Sequence, residues 1–228
     1  MTMAPLAQPA IPGSAAITIA GEPIMLLPHR AAYWSSTRTL LVADLHLDKC
    51  EVMRANGLPI PRAILDEQIA RLDAAIRATL ARRVLIVGDL LHAPAGLTGP
   101  MVDHFAAWRA TTAIDIAIVP GNHDRALTRV AQAWRLTLLP ALYEEGPFAF
   151  LHDPADRHPR TKLFCWCGHI HPAIVLRRAG DSLKLPCFHI TPRIGILPAF
   201  STFTAGGPID RARDDRAYGI ADGHVICV

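Results

Sequence analysis

Apolar runs in this chain are short, and they repeatedly end in Gly, Asp, Asn or His. Residues 16–20 alternate as a half-buried strand does, Gly21-Glu22-Pro23 turns the chain, residues 24–27 continue it, and 31–34 add a short edge strand. The first fully apolar run, 39–43, leads straight into Asp44-Leu45-His46. From 61 to 80 the period changes: Leu65, Ile69, Leu72, Ile76 and Leu80 recur every three or four residues, with Pro61 suited to a first turn, which predicts a helix. A second run, 84–87, delivers Gly88-Asp89, and Met101, Phe105 and Trp108 mark another amphipathic helix. The third run, 114–119, leads into Pro120-Gly121-Asn122-His123-Asp124, after which Leu127, Val130 and Trp134 predict a further helix. This repeated order predicts an α/β sheet carrying reactive side chains along one edge. Beyond Pro140 the runs at 148–151, 163–167, 173–176, 183–188, 216–221 and 224–228 predict short strands with few helices between them. The expectation is a second, largely β half packed on the first within a single domain over 1–228, preceded by a loose arm over 1–14.

Composition narrows the class without naming a partner. The chain has 228 residues, 51% hydrophobic and 19% charged, which describes a globular domain with a substantial core and excludes a disordered segment. A formal net charge of +3, spread along the chain, permits a polyanionic partner without requiring one. Five cysteines with no Cys-x-x-Cys pair exclude a disulfide framework and a thiolate zinc site, and suit buried thiols in a reducing compartment. The first fifteen residues lack a basic stretch before an apolar core, and no apolar run approaches the ~20 residues that span a bilayer. A soluble, cytoplasmic protein with no membrane partner is expected.

The strand ends supply the chemistry. Asp44, His46, Asp89, Asn122, His152, His169 and His171 amount to two carboxylates, one amide and four imidazoles. Oxygen and nitrogen donors without sulfur suit manganese, iron or zinc better than calcium or magnesium. Asp-x-His and His-x-His spacing on an extended segment would place both donors on one side. Two ions roughly 3.5–4 Å apart can clamp a phosphate, provide a bridging hydroxide to attack phosphorus and stabilise an in-line displacement. His123 is left as the free imidazole, a proton donor or cationic partner for the leaving oxygen. Asp124 either orients His123 or caps the helix that follows. His92 either lines the cleft near Asp89 or caps the loop to Pro94, and Arg125 either reaches a substrate phosphate or is solvated. His152 lies in no dense motif, and its competitor is His158 in a charged loop.

Taken in order, Asp-x-His, Gly-Asp, Gly-Asn-His-Asp, an isolated His and Gly-His-x-His resemble the motifs of the calcineurin-like metallophosphoesterases. The resemblance implies an α/β four-layer sandwich, two mixed β-sheets flanked by helices. It also implies two metal ions: Asp44, His46, Asp89 and His171 on one, and Asp89, Asn122, His152 and His169 on the other. Asp89 bridges, and His123 is the catalytic non-ligand. Across nearly the whole chain, Leu41 to Leu47, Gly88 to His92, Gly121 to Arg125, Gly168 to Pro172, Leu185 to Phe188, Leu197 to Phe200 and Phe203 to Gly207 are similar to the bacterial ligase-associated DNA damage response endonucleases. That subfamily implies a manganese-dependent phosphodiesterase cutting DNA, functionally associated with a DNA ligase, an exonuclease and a helicase. Asp48, where the subfamily pattern has Gly, and Asp153, where it has Glu, depart from it without touching an expected ligand.

Two other readings compete. A small-molecule phosphoesterase acting on nucleotides or cyclic phosphodiesters would carry the same metal site, since cleft shape and surface charge choose the substrate. A non-catalytic scaffold on the same fold predicts degraded ligands, whereas all seven donors stand.

Overall fold

The computed structural model describes residues 11–61, 63–158, 161–178 and 180–228. Two mixed β-sheets stack face to face. The first takes β1 (Ala15–Ile19), β2 (Glu22–Leu27), β3 (Ala31–Trp34) and β4 (Thr39–Val42) as an antiparallel meander. After α1 (Lys49–Ala55) and α2 (Ala63–Thr79) comes β5 (Arg83–Val87), and after α3 (Gly99–Thr111) come β6 (Asp115–Val119) and β7 (Leu136–Leu138). β4 through β7 pair in parallel, in the order of the chain.

The second sheet begins with β8 (Tyr143–Glu145), β9 (Phe148–Phe150) and β10 (Phe164–Cys167), and continues with the long hairpin of β11 (Pro172–Arg178) and β12 (Asp181–Ile190). β13 (Ile194–Ile196), the two-residue β14 (Gly207–Pro208), β15 (Arg216–Ala221) and β16 (His224–Cys227) complete it. Within it, β9, β10 and β13 run parallel.

Alternate residues of the central strands explain the continuous apolar runs. Leu40, Val42, Val84, Ile86, Ile116 and Ile118 face Ile69, Leu72, Ala75, Met101 and Phe105 of α2 and α3. Their neighbours Leu41, Ala43, Leu85, Val87, Ala117 and Val119 face Phe148, Phe150, Trp166 and Phe188 of the second sheet. Strands buried on both faces read as unbroken hydrophobic stretches instead of alternating ones. Trp34 packs edge-on against Phe148 at 4.9 Å between ring centroids, fastening the two sheets at their shared layer. The α-helices all belong to the first half. Among the described residues the second sheet's outer face carries no α-helix, only small clusters such as Ala149, Leu151, Cys165 and Cys167.

Some expectations about elements change. β3 is interior, paired to both β2 and β4, and not an edge strand; its four residues are all buried. The helix expected after Asn122 is a 3-10 helix, Asp124–Arg129, followed by turns, although Leu127, Val130 and Trp134 do enter the core. α1, β7, β8, β13 and β14 were not expected; β7 is short, partly exposed and gives no apolar run. Of the expected arm over 1–14, residues 1–10 lie outside the described residues, while Ile11 is buried and accepts a 2.7 Å hydrogen bond from Ser14 Oγ. No described helix is long and apolar enough to cross a membrane. All five cysteines are free, and only Cys227 is exposed.

What this fold does for a site is align strand ends. Val42 pairs with Ile86 and Val87 with Val119 in the first sheet, while Trp166 pairs with Phe150 and Cys167 with Ile196 in the second. Loops after β4, β5, β6, β9, β10 and β13 therefore leave from one level, at the carboxyl edges of two parallel strand sets. The segment after β13 crosses between them, with Phe200 N–H donating to Ala43 O at 2.9 Å and Ser201 N–H to Asp44 O at 3.1 Å.

Candidate metal centre

Two compact donor groups form where these loops meet. Asp44, His46 and His171 make one, and Asp89, His152 and His169 the other; within each, one ligand atom per residue lies within 4.8 Å of the rest. Each group draws on both sheets, since residues 44, 46 and 89 follow β4 and β5, while 152, 169 and 171 follow β9 and β10. Asp89 stands between the groups: its Oδ2 is 3.2 Å from His152 Nε2 and 3.9 Å from His46 Nε2. Asn122 joins the second group, with Oδ1 3.1 Å from His152 Nε2.

The arrangement is held by backbone. His46 Nδ1 meets Leu91 O at 3.2 Å and His152 Nδ1 meets Val87 O at 3.2 Å, so each imidazole donates outward through Nδ1 and turns Nε2 inward toward the donor groups. The Asp44 carboxylate accepts the His169 N–H at 3.1 Å, and Asp89 Oδ1 accepts the His123 N–H at 3.0 Å. Gly121 has no substitute, because a Cβ there would stand 2.2 Å from Asp89 Oδ1. Gly88, at φ +81°, is equally constrained: a Cβ would stand 2.0 Å from His152 Nδ1.

Asp44, His46, Asp89, His169 and His171 all adopt left-handed backbone, with φ between 47° and 67°. The extended backbone assumed for these pairs is therefore not what forms, although Asp44 and His46 still enter one group. The chain turns sharply at each donor, and His169 and His171 enter different groups instead of sharing one. Such conformations cost on the order of 1–3 kcal/mol each in residues with a Cβ, and they cluster where function requires them.

The donors suit a cation. Burial, only partly offset by Asp44 and Asp89, pushes His46 down to about 4, so it is neutral and has a lone pair to give. Burial acts against charge on His152 as well, yet the hydrogen bond and charge of Asp89 outweigh it and push His152 up to about 9. Burial would raise Asp89, but His152 holds its carboxyl below the usual range. His46 and His171 face each other Nε2 to Nε2 at 3.4 Å, and His169 Nδ1 lies 3.3 Å from His152 Nε2. Inward nitrogens this close, beside two buried carboxylates, are reconciled by positive charge between them. Two divalent ions fit this set, and the transition metals match its mixed nitrogen and oxygen donors.

The remaining candidates fall around the groups. His123 keeps outside both: its Nδ1 meets the His92 carbonyl at 2.7 Å, which turns Nε2 away from that contact. Among the described residues the His123 imidazole makes its hydrogen bond to His92 O and the Asp124 carboxylate turns to backbone amides. That carboxylate accepts the amides of Leu91 at 2.9 Å and Gly121 at 2.8 Å, tying the loops after β5 and β6 together, and burial pushes it up to about 6. His92 stacks on His123 with centroids 5.2 Å apart, and both line an open depression of about 380 Å³ with Asn122 and Arg125. His158 is exposed and takes no place in either group, leaving His152 as the isolated histidine of the order.

Three features were not visible in the sequence. Asp48 is fully buried and accepts the amides of His92 and Ala93, the latter at 3.1 Å, which fixes the loop whose carbonyl holds His123. Asp153 Oδ2 lies 3.5 Å from His169 Nε2. Arg30 donates to Ala199 O and Ser201 O at 3.3 and 2.8 Å, below the Asp44 turn. Only the departure of Asp48 and Asp153 from the motif pattern offered a signal.

No protein-family model matches the sequence, and a search of curated proteins finds no match. Among solved structures, the Pseudomonas putida nuclease MPE superposes with a TM-score of 0.81 at 30% identity, over 94% of this chain and 100% of that one. The phosphoesterase Yfce from E. coli overlaps at a TM-score of 0.46 and 13% identity, over 83% of this chain and 97% of that one, too loosely to bear on it. With two mixed sheets, two donor groups at their shared edge and this likeness over nearly its whole length, the chain is a metal-dependent phosphoesterase and belongs to the calcineurin-like metallophosphoesterases.

Proposed function

We propose that this protein is a two-metal phosphodiesterase that cuts DNA, with manganese as the working ion. The carrying observation is the Asp89 carboxylate, whose Oδ2 faces both donor groups at once. The similar Pseudomonas putida protein is a nuclease, which favours a nucleic-acid substrate for this chain.

Asp44, His46, Asp89 and His171 would hold one ion, and Asp89, Asn122, His152 and His169 the other. Bound there, the pair supplies Lewis-acid activation of the phosphodiester and an activated water. The protein supplies position and protons. Asp89 keeps the two groups in register because Oδ1 is fixed by the His123 amide. His123 donates Nδ1–H to His92 O, and in its imidazolium form would pass the Nε2 proton to the leaving oxygen. His92 and Arg125, which line the same depression, would meet a phosphate oxygen there. A cellular role beside a DNA ligase, an exonuclease and a helicase belongs to the same proposal.

The test is nicking of plasmid and single-stranded DNA with manganese, and with manganese replaced by chelator. Wild type should nick only with metal. Asp89→Ala should abolish nicking and lower bound metal, because one carboxylate serves both groups. Metal-dependent hydrolysis of a small chromogenic diester without any DNA nicking would assign the enzyme to small phosphoesters instead.

A further inference from the structure

Beside the first donor group lies a second pocket, of about 190 Å³, that the reaction as described does not use. His171 forms one wall, and Arg30, Lys184, Thr204 and Gly206 form the others. It therefore flanks the metal centre on the His171 side, as the His92–Arg125 depression flanks it on the Asn122 side.

Both cations of this pocket are fixed in place. Arg30 sits in the tight turn between β2 and β3 with φ 61°, its N–H bonded to Leu27 O at 3.2 Å, and its guanidinium reaches Ser201 O. Lys184 stands on β12 opposite Val175 of β11, and its Nζ donates to Gly206 O at 2.6 Å. The loop carrying Gly206 is pinned in turn, Gly207 N–H donating to His171 O at 2.9 Å. Among the described residues neither Arg30 nor Lys184 has a carboxylate within ion-pair distance; the arginine and lysine pairs are Arg54–Glu51, Arg77–Asp73 and Arg83–Glu145. Burial and the neighbouring Arg71 bring Arg30 down to about 10, which leaves it charged at neutral pH.

Two positioned cations bonded to carbonyls alone, in a walled pocket adjoining a phosphoesterase centre, call for an anion. We infer that this pocket binds a non-scissile phosphate of the substrate strand, next to the one hydrolysed over the metal groups. The inference rests on the nucleic-acid reading above and adds to it a reason for preferring a polymer. A mononucleotide diester has no second phosphate to place there. A strand does, and it would run from the His92–Arg125 depression across the donor groups to Arg30 and Lys184.

Lys184 is the cleaner probe, since Arg30 also carries the Ala199 and Ser201 carbonyls, whereas Lys184 is exposed. The experiment compares wild type, Lys184→Ala and a control, Lys162→Ala, an exposed lysine ahead of β10. KM is measured with manganese for a single-stranded oligonucleotide and for a small chromogenic diester, over a range of salt. Lys184→Ala should raise the oligonucleotide KM roughly tenfold more than that of the small diester, and lower the slope of log KM against log salt by about one, as loss of one phosphate contact does. Lys162→Ala should match wild type on both substrates. If wild type cuts the oligonucleotide while Lys184→Ala shows the wild-type KM and salt slope, the subsite is wrong and the nuclease reading stands. If wild type leaves the oligonucleotide uncut, both fall together.

Discussion

His123 shows how much one position in this loop decides. Its backbone N–H holds Asp89 Oδ1 at 3.0 Å, and its side chain holds His92 O at 2.7 Å. The two jobs separate cleanly by mutation. His123→Ala retains the amide, so bound metal should stay near wild type, while phosphodiester hydrolysis should fall by ~10²–10⁴-fold, the scale of acid–base groups. Metal analysis beside turnover checks this, and unchanged turnover would remove the imidazole from the reaction. At this scale the sequence was informative, because Asp44, His46, Asp89, Asn122, His152, His169 and His171 announce themselves by type and order. It marked Asp48 only as a departure from the motif pattern and said nothing of Arg30; their partners are backbone amides and carbonyls brought near only by the fold. It misled about geometry: period-2 reasoning assumes extended backbone, and Asp44, His46, His169 and His171 are all left-handed.

The loop after β5 is where element-level design is most exposed to test. It carries Asp89, donates Leu91 N–H to Asp124, and takes its His92 and Ala93 amides to the buried Asp48. Asp48→Ala strands two amides in a dry setting, at about 1–3 kcal/mol each. We expect it to lower unfolding stability by roughly 2–4 kcal/mol in urea melts, with Asp48→Asn, which keeps one acceptor oxygen, losing less. A midpoint equal to wild type would mean that the loop does not depend on this carboxylate. The strands that deliver the loops were legible, since burial on both faces leaves long apolar runs over β4, β5 and β6. β7 and β14 were not, being three and two residues long at the margins of their sheets. The segment after Asn122 carried apolar spacing that fits an α-helix, yet forms a 3-10 helix, with Asp124 at its start held by Leu91 and Gly121.

For the whole molecule, each donor group joins residues from both sheets, so metal should bind the folded chain far better than the unfolded one. A ligand present at 100 times its Kd adds about 2.7 kcal/mol, which for a chain of this size corresponds to roughly 5–10 °C in Tm. Manganese should give a shift of that order in wild type, chelator should reverse it, and Asp89→Ala should blunt it. An equal shift in Asp89→Ala would place the stabilising ion elsewhere. The division of ligands between the sheets also sets an order of events during synthesis. The chain emerges amino end first, so Asp44, His46, Asp89 and Asn122 are available well before His152, His169 and His171. The first half on its own holds only part of either donor set. Hydrolytic capacity is therefore withheld until the second sheet has folded onto the first, and an unfinished or prematurely ended chain is a hydrolase that was never armed.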